Sequence, residues 1–149
     1  MTPLLTVNDL SIGFGANPPA VRGVSFAVNP GETLALVGES GSGKTVTCRT
    51  ILRILPRSAR FLSGQIALNL PDRQIDLTAL GERAMRRVRG NLGSMIFQEP
   101  MTALNPVLTI GYQIAESVLA HEKVSKSEAW DRAVEAMNAV AIPDAFRRS

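Results

Sequence analysis

The sequence predicts an α/β fold, and three observations carry that prediction. An apolar run, Thr33-Leu34-Ala35-Leu36-Val37, leads straight into a glycine-rich loop at 38–43 and then into a stretch of helical spacing. A continuous apolar run of this length is what a strand buried on both faces of a parallel sheet requires. Ahead of it, residues 4–11 and 24–28 carry apolar positions at or near period two, the mark of half-buried strands. Behind it, two stretches with a 3.6-residue apolar repeat finish the chain.

The elements follow in order. Residues 4–11 read as a strand with apolar positions 5, 7 and 10, and residues 13–19, with two glycines and two prolines, as a loop. Residues 24–28 form the next strand, closed by the turn Asn29-Pro30-Gly31. After the glycine loop, Val46, Cys48, Ile51, Leu52 and Leu55 mark the inner face of a helix that Pro56 ends. Residues 63–68 read as a strand, 78–89 as a helix carrying Arg83, Arg86, Arg87 and Arg89, and 92–97 as a short strand. Ile110, Ile114, Val118 and Leu119 stripe one late helix. The other opens with the capping box Ser125-Lys126-Ser127-Glu128 and presents Trp130, Ala133, Val134, Met137 and Val140.

Composition narrows the function classes. The 149 residues are 45% hydrophobic and 19% charged, a balance that folds around a core rather than remaining disordered. Cys48 is the single cysteine, which excludes an internal disulfide framework. No apolar run approaches the roughly 18 residues of a membrane span, and the opening residues lack the basic start of a signal peptide. A net charge of +3 is too small to argue for nucleic acid. Residues 46–90 hold nine arginines against Asp72, Asp76 and Glu82, which reads as a solvated face with a partner contact. His121 is the only histidine, so a histidine metal site is not supported.

The chemistry concentrates at Gly38-Glu39-Ser40-Gly41-Ser42-Gly43-Lys44-Thr45, which matches G-x-x-x-x-G-K-[ST] between an apolar run and a helix. Glycines let successive N–H groups turn inward as an anion nest, and the following helix adds partial positive charge at its start. Lys44 supplies a full charge for β and γ phosphates, and Thr45 a hydroxyl for Mg²⁺. Gly38, Ser40, Gly41, Ser42, Gly43, Lys44 and Thr45 are therefore the candidate nucleotide-binding residues. Guanine recognition through Asn-Lys-x-Asp is disfavoured, because none of the three lysines lies in that setting. A dinucleotide G-x-G-x-x-G is excluded here by Val46.

With residues 31–45 and the block Phe97-Gln98-Glu99-Pro100-Met101-Thr102-Ala103-Leu104-Asn105-Pro106, the sequence resembles the nucleotide-binding subunits of ABC transporters. The second block is similar to the F-Q-[DE]-P-M-[TS]-[SA]-L-N-P stretch of the peptide and nickel importer branch. The resemblance implies a P-loop ATPase core with an N-terminal antiparallel β-subdomain and the start of a helical subdomain. The core would span 1–98 and the helical part 99–149, both incomplete. It further implies that Phe14 stacks on adenine, where the family usually has Tyr, and that Gln98 reaches Mg²⁺ and the attacking water. ATP and Mg²⁺ would be the cofactors. Membrane permease subunits would dock through residues 98–106 and the following helices, a second ATPase subunit would pair with the whole protein, and the location would be the cytoplasmic face of the inner membrane, peripherally.

Two further motifs of the family are absent from these 149 residues. There is no L-S-G-G-Q-type signature and no apolar strand ending in Asp-Glu; residues 139–144 break at Pro143, and Ala145 stands where Glu is needed. No complete catalytic set is therefore expected in this chain. The expectation is a fragment that binds Mg·ATP at most weakly, shows no useful turnover, and leaves apolar sheet edge uncovered. A non-catalytic nucleotide-binding remnant or interaction module is one alternative. A soluble ABC protein of DNA repair or translation is another, against which the 98–106 block argues.

Overall fold

The computed structural model describes residues 2–98 and 104–142. Two compact units divide the chain, Met1–Val88 and Arg89–Ser149.

The first unit is built on a four-stranded antiparallel sheet in the order β2-β1-β3-β4, with β1 at Leu5–Phe14, β2 at Val21–Val28, β3 at Ala59–Asn69 and β4 at Gln74–Asp76. The apolar pattern of β1 explains its shape. Leu5 and Val7 sit on odd positions, whereas Leu10, Ile12 and Phe14 sit on even ones, so one extra residue must be absorbed to keep a single face inward. The ladders with β2 and β3 both shift register just there, and Asp9 takes a φ of 46°. The orphaned main-chain groups of this bulge are satisfied by two serines: Ser25 Oγ accepts from the Asp9 N–H at 2.8 Å, and the Ser63 hydroxyl donates to the Asp9 carbonyl at 3.2 Å. Opposite lies Gly64, at φ 108°, where an added Cβ would stand 2.7 Å from Asn8 O, Asp9 O and Leu10 Cα. Only glycine fits that approach.

Val7, Leu10 and Ile12 are fully buried and join Val21, Ile66, Leu68, Leu77, Met85 and Val88 in the core. Helix α1, Lys44–Ile51, packs Val46 and Ile51 against it, and helix α2, Glu82–Val88, contributes Met85 and Val88. The inner face of α1 departs from the apolar spacing. Thr47 and Thr50 are its buried residues, made tolerable by hydroxyl bonds to the carbonyls of Gly43 and Val46. The helix also stops well before Pro56, at Ile51.

Two expected strands are not formed. Residues 33–37 and 92–97 make no ladder; the second stretch has only an isolated parallel bridge, Arg89 to Gly93. Val37 is 92% exposed and Ile96 98% exposed, so the run expected to be buried on both faces is instead open. The reason is that a strand is made by its neighbours: an apolar extended run becomes one only where another strand supplies its hydrogen bonds. Among the described residues all four strands pair antiparallel with one another, and none is offered to residues 33–37.

In the second unit, helices α3, Ile110–His121, and α4, Lys126–Ala139, form a hairpin. Its buried contact is made by small residues, Ala115, Ala129 and Ala133, flanked by Ile114, Val118, Val124 and Trp130. Trp130 is thus a packing residue, as its spacing suggests, whereas Leu119 and Val140 turn to solvent. Ser125 caps α4 by accepting from the Glu128 N–H at 3.1 Å, but the Glu128 carboxylate engages Arg132 at 2.7 Å rather than reaching back.

Candidate functional site

The loop at 38–43 is held by its own chemistry. The Ser42 N–H donates to the Glu39 carbonyl at 3.2 Å, closing a turn, and Gly41 and Gly43 take φ of 81° and 90°. Gly43 is the N-cap of α1, and no side chain caps that end. The first-turn N–H groups of the helix are thereby left for an anion. A Cβ at Gly43 would lie 2.7 Å from the carbonyl oxygen of Ala20, so this position needs glycine for contact as well as for its backbone angle.

Lys44 folds its ammonium onto the loop. Nζ donates to the carbonyls of Gly38 and Glu39, both at 2.7 Å, and to Ser42 Oγ at 3.3 Å. No carboxylate pairs with it among the described residues. An unneutralised ammonium beside an uncapped helix start gives a concentrated positive site, suited to a polyphosphate. Thr45, the second residue of α1, is exposed. Its hydroxyl is the hard oxygen donor that Mg²⁺ takes when phosphates supply further ligands, so the residues present fit that ion.

The contact between Gly43 and Ala20 joins two parts of the candidate site. Ala20 begins the return from β1 to β2, and its N–H donates to the Ile12 carbonyl at 2.8 Å. Phe14 ends β1 opposite Ala59, half-buried and packed against the core. Phe14 and the glycine loop thus lie in one unit, and Gly43 approaches the connection that follows Phe14. Gln98 lies in the other unit and is exposed. Residues 99–103 of the second sequence block fall outside the described residues. Its last part does not: the Asn105 N–H donates to Gln113 Oε1 at 2.8 Å, and Gln113 Nε2 donates back to the Asn105 carbonyl at 3.0 Å. That pair ties the end of the block to α3.

Comparison with known proteins decides the family. The family model described as ABC transporter matches residues 21–149. The chain belongs to the ABC transporter family. A peptide import ATP-binding protein of Brucella abortus is 54% identical over 132 residues, covering 87% of this chain and 39% of that protein. The oligopeptide transport ATP-binding protein OppD of Bacillus subtilis is 47% identical over 96% of the chain and 40% of its own length. The dipeptide transport ATP-binding protein DppD of the same organism is 45% identical over 99% and 44%. This ABC chain therefore spans about two fifths of the length of these relatives. Among solved structures, a bacterial Atm1-family ABC exporter with ATP bound matches with a TM-score of 0.59 and 26% identity, over 99% of this chain and 22% of that one. No helix among the described residues is long and apolar enough to cross a membrane.

Sequence reasoning missed three features of the site. The Gly43–Ala20 approach joins positions 23 residues apart and has no local signal. The Gln113 clamp on Asn105 has no local signal, because Gln113 is one of several polar residues on an amphipathic helix. The third is a bond from Arg60 to the Gly15 carbonyl beside Phe14, hidden among many arginines.

Proposed function

We propose that the chain binds Mg·ATP at the 38–45 loop and is part of an ATP-binding subunit that energises uptake of peptide-like solutes. The observation that carries the reading is the uncapped start of α1 with the Lys44 ammonium held in the loop and unpaired by any carboxylate among the described residues. In this reading the N–H groups around Gly41–Lys44 and the Lys44 charge hold the phosphates, and Phe14 offers a face to the adenine. Thr45 and Gln98 hold Mg²⁺, which supplies charge neutralisation between the phosphates. Gln98 and the Asn105 turn, tied to α3 by Gln113, link the nucleotide to the helices from residue 99 onward.

The names of the relatives support the transport role: each is a peptide, oligopeptide or dipeptide ATP-binding protein. By the same reading, the partners are membrane permease subunits, docked through residues 98–106 and the helices after them, and a second ATPase subunit. The placement is peripheral, on the cytoplasmic face of the membrane. Titration of the chain with Mg·ATP tests the nucleotide half of the proposal, with Lys44→Ala as control. Co-purification with permease subunits tests the other half.

A further inference from the structure

An aromatic ring serves as a base platform only while the backbone that carries it stays fixed, and at Phe14 the sheet gives out. The β1–β3 ladder ends with Phe14 opposite Ala59, and the β1–β2 ladder ends two residues earlier, with Ile12 opposite Val21. Residues 15–20 then form a loop in which Pro18 and Pro19 offer no N–H. Its near ties are local: Asn17 N–H to the Phe14 carbonyl at 3.3 Å, and Arg22 Nε to the Pro19 carbonyl at 3.0 Å. A distant tie comes from Arg60 on β3, whose Nη2 donates to the carbonyl of Gly15, the residue directly after Phe14. Arg60 stands opposite Gly13 in the ladder, on the far side of the sheet from Phe14, and reaches round the strand end.

We infer that Arg60 is a positioning residue for the nucleobase: its guanidinium straps the Gly15 carbonyl and so fixes the ring of Phe14. The inference rests on the reading that Phe14 stacks on the base. The strap acts on the base end of the site and leaves the phosphate end alone. The Ala20 end of the loop, which abuts Gly43, is pinned separately by its own bond to Ile12. A charged donor on a carbonyl is the stronger kind of hydrogen bond.

The test uses the full chain and two ligands, Mg·ATP and Mg·tripolyphosphate, the second having phosphates but no base. Arg60→Met, which keeps the apolar stem, is expected to weaken ATP about three- to tenfold while tripolyphosphate binding stays unchanged. Arg60→Lys, which retains a donor, is expected to recover part of the loss. Should Arg60→Met melt out, Arg60→Gln is read by the same ratio of the two affinities. An Arg60 variant that binds ATP as tightly as the parent, or that loses both ligands equally, overturns the inference. Phe14→Ala run in parallel separates the two claims. If it leaves the ratio untouched, the stacking reading fails, and with it the role given to Arg60. If Phe14→Ala lowers the ratio and Arg60→Met does not, Arg60 alone is misassigned.

Discussion

Gly64 shows how much one residue can decide. Its missing side chain lets β3 close on the bulge of β1, with three backbone atoms 2.7 Å from where a Cβ would stand and φ at 108°. Backbone atoms yield less easily than the end of a flexible side chain. Gly64→Ala is therefore expected to cost about 3 kcal/mol or more, read as a lowered midpoint in urea unfolding. Asp76 makes a different kind of contribution. The Thr78 hydroxyl first, and Gln65 Nε2 at 2.8 Å after it, donate to its carboxylate and hold its pKa below the ordinary value. A depressed pKa adds stability that is present above the ordinary carboxylate pKa of about 4 and is lost as pH falls through the lower folded value. Unfolding followed from neutral to acid pH is expected to show that loss in the parent chain and a flatter profile in Asp76→Asn.

At the scale of elements, the cap of α4 was more legible than the sheet partners. Ser125 announced the start of α4, and the structure begins that helix at Lys126 with the serine accepting from Glu128. Ser125→Ala is expected to cost about 1 kcal/mol, with a lowered melting temperature and little change in nucleotide binding. The parity change in β1 was also written in the sequence, in apolar residues that move from odd to even positions across Asp9. Burial along α1 was not legible, because apolar spacing gives no warning that Thr47 and Thr50 turn inward on their own hydroxyl bonds. The strands expected at 33–37 and 92–97 failed for a plainer reason. Local composition says that a segment prefers to be extended and dry, but only a neighbouring strand makes it so.

At the scale of the molecule, the candidate site is legible where it is local and obscure where it is assembled. The 38–45 loop could be read residue by residue, since a turn, a helix start and a lysine all lie within eight positions. The Gly43–Ala20 contact and the Arg60 strap join residues 23 and 45 positions apart, which no spacing rule reaches. The two units, Met1–Val88 and Arg89–Ser149, divide the proposed nucleotide residues between them, the loop in the first and Gln98 in the second. Family membership follows from the match over residues 21–149, while the transport role remains the proposal that the named relatives support.

The most direct measurement is an equilibrium titration of the purified chain with Mg·ATP beside its Lys44→Ala variant, both checked for folding. The account predicts saturable binding by the parent and a loss of about tenfold or more in the variant, since the Lys44 ammonium is the one full positive charge the loop itself supplies. Equal binding by the two folded proteins, or none by the parent, would contradict it.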